Sequence, residues 1–100
     1  MIYLVVHLIY VTGHEHEGAE YERTVLSYWR EHGGEVIAAF QPAPWADGTR
    51  AADEVQLLRI PSRAQIDAYL ADERRAALAP VRERSIARTE LIMSEQLLDR

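Results

Sequence analysis

The chain predicts an α+β fold, a ferredoxin-like βαββαβ sandwich in which one four-stranded antiparallel sheet carries both helices on one face. Three observations carry that prediction. Apolar, strand-like runs at residues 2–11, 35–41, 53–60 and 86–94 are separated by two helical stretches in the order strand, helix, strand, strand, helix, strand. Gly33-Gly34 and Pro61 punctuate that order where a helix and a strand must stop. One hundred residues with 48% hydrophobic content supply a single core and leave no room for a second domain. A domain over residues 1–95 is expected, with 96–100 as a C-terminal tail.

The run from Ile2 to Val11 is apolar at nearly every position, the pattern of a central strand covered on both faces. It lacks a basic leader and a cleavage site and is far shorter than a membrane helix of about 20 residues, so no membrane role is expected. After Thr12-Gly13 the acidic stretch His14–Glu22 opens the first helix, and Glu15, Glu17 and Glu20 suit the positive end of its dipole. Tyr21, Val25, Tyr28, Trp29 and His32 follow on one helical face, and Gly33-Gly34 provide a left-handed cap.

Glu35–Gln41 reads as the second strand, and Pro42, Pro44, Asp47 and Gly48 define a loop to about Ala52. Glu54–Ile60 is the third strand. Ser62-Arg63-Ala64-Gln65 forms a capping box, the glutamine reaching back, and starts a second helix whose face is Ile66, Tyr69 and Leu70. Asp72 reads as a second cap restarting the helix through Leu78 and Val81, with Pro80 kinking or breaking it. Ile86–Ser94 is the last strand.

Composition excludes several classes. Cysteine is absent, which removes disulfides and thiolate zinc sites and makes the cytoplasm the expected compartment. The net charge of −5, with every basic residue an arginine, disfavours nucleic-acid binding. Arginine is concentrated locally, however: five lie between Arg74 and Arg88, which leaves room for an anion site. Gly-x-Ser-x-Gly and phosphate-cradling glycine loops are missing, since Gly33-Gly34 follow a helix where a dinucleotide loop must precede one. His14-Glu15-His16-Glu17 invites a metal reading, but a site needs further ligands that only His32 or a distant carboxylate supplies, and a solvated helix start is the better reading. No metal or other cofactor is expected.

Two helices cover one face of a sheet whose strands are apolar on both. Leaving several such side chains in water costs about 1.5–3 kcal/mol each, so a second copy packed sheet to sheet is the expected cover. A homodimer is the expected state, against a monomer with a partly wet sheet or a hetero-partner.

The segments His32–Ile37, Glu54–Ser62 and Ala71-Asp72, Leu78–Arg82 and Ile86–Glu90 resemble small single-domain proteins of the dimeric α/β-barrel superfamily. The similarity is closest to a family of unknown function that neighbours the YCII-related, EthD-like and antibiotic-biosynthesis monooxygenase families. The resemblance implies a dimer whose sheets form a barrel wall, and a small-molecule pocket between sheet and helices in each subunit. This sequence departs from that pattern at Ile60, where an aromatic residue is usual, and at Arg74-Arg75, where a tyrosine is frequent.

Candidate site residues follow from both readings. His7, inside the first strand, is expected to be buried and neutral; it is either a catalytic base or a core histidine satisfied by a neighbouring carbonyl or tyrosine. Gln56 shares a strand face with Leu58 and Ile60, which the resemblance turns toward the helices; it is a ligand-binding amide there or an edge residue in water. Tyr21, Tyr28, Trp29 and Tyr69 form an aromatic stripe that lines a pocket for a planar ligand or packs as plain core. Arg82 matches an arginine after the alanine-proline pair of the resembling family; it binds an anionic oxygen or pairs with Asp72 or Glu83. The expected function is a homodimeric protein binding a small aromatic or carbonyl-containing molecule. Whether it is an enzyme is left open: a cofactor-independent isomerase, cyclase or monooxygenase is one reading, a non-catalytic ligand-binding or assembly module the other.

Overall fold

A computed structural model describes all 100 residues. Strand β1 (Ile2–Tyr10) is followed by helix α1 (Glu15–Glu31), strands β2 (Glu35–Phe40) and β3 (Glu54–Ile60), three short helices, and strand β4 (Ile86–Ser94). The short helices are α2 (Arg63–Leu70), α3 (Glu73–Ala76) and α4 (Ala79–Ser85). The sheet order is β2-β3-β1-β4 and every neighbouring pair is antiparallel, the ferredoxin-like arrangement with β1 and β3 central.

Alternation along β1 sorts its side chains cleanly. Ile2, Leu4, Val6 and Leu8 are buried toward the helices, while Tyr3, Val5 and His7 are only half-buried on the other side. The buried set joins Tyr21, Val25, Leu26 and Trp29 of α1, Leu58 and Ile60 of β3, Ile66 of α2 and Ile86 of β4 in one core cluster. The strands thus bury one face, not both. On the open face Ile9, Phe40 and Ile92 remain 36%, 46% and 61% exposed, and the chain is only 15 Å thick along its shortest axis, enough for a sheet and one helical layer.

Helix α1 ends as expected. Gly33 takes φ +90° and donates to Arg30 O, while Gly34 donates to Trp29 O, the paired bonds of a Schellman cap. At its start the His14 side chain makes no cap bond; Glu15 instead accepts from the Gly13 amide at 3.0 Å. Gly18 lies where α1 crosses β1, so close that a Cβ would stand 2.4 Å from the Tyr10 ring.

The second helical stretch breaks where Asp72 and Pro80 are expected to break it and departs from expectation in its capping box. It divides into three helices, because Asp72 caps α3 by accepting from Arg74 N at 2.9 Å and Pro80 sits in the first turn of α4, where its missing N–H is harmless. The capping box is incomplete: Ser62 accepts from Gln65 N, but Gln65 receives the serine hydroxyl on its Oε1 and donates its amide to His32 O, tying α2 to the end of α1. A second tie lies beside it, where Asp72 joins His32 Nε2 at 3.0 Å and Arg74, and Arg74 reaches Glu31 at 2.7 Å. Arg74 and His32 hold the Asp72 carboxyl well below the usual carboxylate range. These bonds fix the α2–α3 segment over the sheet, and with it the mouth of the site.

Candidate functional site

Between the sheet and the helices lies a cavity of about 180 Å³. Leu4, Val6 and Leu8 of β1, with Leu58 of β3 and Met93 of β4, form its floor; Val25, Leu26 and Trp29 of α1 and Ile66 of α2 form its walls. Solvent reaches it past Leu70, Arg82, Thr89 and Leu91, all exposed. The polar groups are few: Tyr21, Glu22, Gln56, Tyr69, Arg75, Arg82 and Thr89. A mainly apolar lining with a few convergent polar groups is the usual build of a small-ligand site.

Glu22 and Gln56 meet at the inner side of this cavity. Gln56 is 2% exposed and its amide donates to Glu22 Oε1 at 2.9 Å and to Glu54 Oε2 at 2.8 Å. Both N–H bonds of that amide are therefore committed to carboxylates. Glu54 in turn accepts from the Tyr10 hydroxyl at 2.7 Å, so a continuous chain runs Tyr10, Glu54, Gln56, Glu22. Burial pushes the Tyr10 phenol up strongly, and the bond to Glu54 adds to this, so it serves as a donor.

Glu22 itself is 9% exposed, on an otherwise apolar helix face. Burial raises its carboxyl above the ordinary 4.5, the Gln56 bond pulls it part-way back, Glu54 pushes it up again, and Arg82 and Arg75 pull it down. A desolvated carboxylate with raised proton affinity, opening on a small cavity, has the properties required of a general base.

The aromatic candidates separate. Tyr21, Trp29 and Tyr69 line the cavity, with Trp29 and Tyr69 edge to face at 5.2 Å between ring centres. Burial pushes the Tyr69 phenol up and the Arg75 guanidinium, 5.0 Å over its ring, partly offsets this. Tyr28 does not line the cavity; it packs, partly buried, against the core with the Arg74 guanidinium 4.2 Å over its ring. Arg82 stands at the mouth and pairs with neither Asp72, which is held by Arg74 and His32, nor Glu83.

His7 is the main correction. The register pairs Val6 with Gln56 and His7 with Val55 and Glu90, so His7 projects from the opposite side of the sheet from Gln56. Its side chain is 32% exposed and lies 3.9 Å from Glu90 in a shallow surface hollow with Ile9, Ala51 and Arg88. It is neither buried nor part of the cavity. The histidines weighed as metal ligands are likewise separated: His14 contacts Glu17 at 3.3 Å, while His32 sits at the far end of α1 on Asp72.

Over residues 1–96 the sequence matches the family described as a domain of unknown function, DUF1330. The chain belongs to this family. Comparison with curated proteins finds no match. Among solved structures, this DUF1330 chain is similar to a protein of unknown function from Rhodopseudomonas palustris, with TM-score 0.77, 17% identity, 98% of this chain and 83% of that one covered. It is similar to a putative antibiotic biosynthesis monooxygenase from Nitrosomonas europaea, with TM-score 0.71, 18% identity, 98% of this chain and all of that one covered. An uncharacterised NIPSNAP domain protein from Burkholderia xenovorans aligns with TM-score 0.66 at 13% identity, covering 97% of this chain and 95% of that one. At these identities the likeness concerns the fold.

Sequence reasoning missed Glu22 and Arg75. A signal for Glu22 exists: residues 22, 25, 26 and 29 follow the i, i+3, i+4, i+7 spacing of one helix face, and three of the four are apolar.

The raised Glu22 carboxyl has a stability consequence with a definite sign. Above the ordinary 4.5 the unfolded chain loses this proton before the native chain does, so folding stability falls as pH rises through that window. Glu22→Gln keeps an acceptor for Gln56 and cannot ionise. Urea unfolding at about pH 4 and about pH 8 should therefore show the variant gaining on the parent as pH rises.

Proposed function

We propose that this protein binds a small, largely apolar carbonyl compound in the cavity between sheet and helices, and that Glu22 removes a proton from the carbon next to the carbonyl. The observation that carries this reading is the buried Glu22 carboxylate, held by Gln56 and opening on an apolar cavity. In the step, the C–H pair moves to the carbonyl oxygen as an enolate while the proton passes to Glu22. Arg82 supplies positive charge at the mouth to offset the developing oxyanion. Gln56 does not fill that role, because both of its donors are already engaged; it positions Glu22 instead. Enolate formation is the step shared by isomerisation, cyclisation and cofactor-free oxygenation, so the reading is compatible with the likeness to a putative antibiotic biosynthesis monooxygenase.

The working unit in this reading is a homodimer. Val5, Leu57 and Ile92 lie in one row across the open face, with Ile9 and Phe40 beside them. A second copy, sheet against sheet, buries that row about a two-fold axis without touching the cavity on the helical side.

Two outcomes are expected. Light scattering at micromolar concentration should give about twice the 11.4 kDa chain mass, and a species at 11.4 kDa would contradict the dimer. Hydrogen–deuterium exchange at the α-carbon of phenylacetone, followed by proton NMR, should be accelerated by the protein and reduced by about 10²-fold or more in Glu22→Gln. Equal exchange by parent and variant would remove Glu22 from the chemistry, whereas His7→Ala is expected to leave the rate unchanged.

A further inference from the structure

The arginines of this chain divide by whether they hold a carboxylate. Arg23, Arg59, Arg63, Arg74, Arg84 and Arg88 each pair with a glutamate or aspartate. Of the five that pair with none, Arg30, Arg50 and Arg100 lie away from the cavity, and Arg75 and Arg82 line it. The contrast is sharpest within one dipeptide. Arg74 is saturated by Asp72 and Glu31 on the outside of the helical layer, and its neighbour Arg75 turns inward.

Arg75 is also placed as a binding group. Its guanidinium is steadied over the Tyr69 ring at 5.0 Å, and its Nε is buried with no hydrogen-bond partner, the one buried side-chain nitrogen or oxygen in the protein left in that condition. A desolvated N–H without an acceptor is costly, and native structures rarely retain one without a reason. The nearest cavity carboxylate does not answer it: Glu22 is bound by Gln56 and makes no ion pair with Arg75. The cavity thus has a positive mouth, an apolar middle and an acidic inner end.

We propose that Arg75 anchors a carboxylate of the ligand, so that the cavity takes a monoanionic organic acid with an apolar body of about one ring. The planar fork of an arginine matches both oxygens of such a group. Size agrees, since a cavity of about 150 Å³ admits benzene and this one measures about 180 Å³ with its mouth open to solvent. The ring lies against Leu4, Val6 and Ile66, and the end remote from the carboxylate points toward Glu22. Charge fixes this orientation, because the reverse one sets the ligand anion against Glu22. The inference rests on the cavity being the ligand site and narrows the substrate class to acids.

The test compares an isosteric pair, 3-phenylpropanoate and 3-phenylpropanamide, by titration calorimetry at about pH 7. The intact protein should bind the acid on the order of ten-fold more tightly than the amide. Arg75→Gln should erase that preference while leaving amide affinity within about two-fold, which also shows that the variant is folded. Arg75→Lys should recover part of the preference, as a point charge without the fork does. Equal binding of acid and amide by the intact protein, or a preference that survives in Arg75→Gln, would overturn the anchor and leave the cavity reading standing. Failure of both probes to bind at millimolar concentration would overturn the anchor and the cavity reading together.

Discussion

The Gln56–Glu22 hydrogen bond is the contact on which the functional reading depends, because it is made across the two layers of the fold. Glu22 comes from α1 and Gln56 from the sheet, so their 2.9 Å bond exists only when helix and strand are packed in register. A carboxylate this desolvated needs a donor, and β3 provides it from a side chain that is itself fixed by Glu54. Glu54 is fixed in turn by Tyr10, whose ring occupies the space that Gly18 leaves on α1. Four residues on three elements therefore settle where one acidic oxygen stands.

The strands divide the remaining labour between their faces. Even-numbered positions of β1 pack against the helices and floor the cavity, and odd-numbered ones form the open face. Any chemistry on the helical side is thus separated by the sheet from whatever covers the other side. The α2–α3 segment closes the arrangement. It is tied to the end of α1 through Gln65, His32, Asp72 and Arg74, and it carries Tyr69 and Arg75 to the mouth. The same short stretch supplies both the clasp and the groups that face a ligand.

Much of this was legible in the chain. The order of elements followed from hydrophobic runs and from Gly33-Gly34, Pro61 and Ser62, all signals of local backbone chemistry. Strand alternation is strict, so the sequence alone groups Gln56 with Leu58 and Ile60. The same rule, applied with the register, separates His7 from Gln56; without the pairing of Val6 to Gln56, composition alone made a histidine among valines and leucines look buried. Glu22 is hard to read from the chain, because glutamates in the first half of a helix usually answer the dipole from the surface, as Glu15 and Glu17 do. Arg74 and Arg75 are chemically identical, and only the turn of a four-residue helix decides which pairs outside and which points in. No periodicity is readable over so short an element.

Glu22 is a carboxyl whose proton affinity is raised by its place between the layers. Carbon-13 NMR titration of the glutamate side-chain carboxyls, with the Glu22 signal assigned by its loss in Glu22→Gln, measures this directly. The midpoint should lie above the ordinary 4.5 and rise further in Gln56→Leu. A midpoint at or below 4.5 would mean that the carboxylate is solvated or paired in a way this geometry does not contain, and would contradict the raised proton affinity.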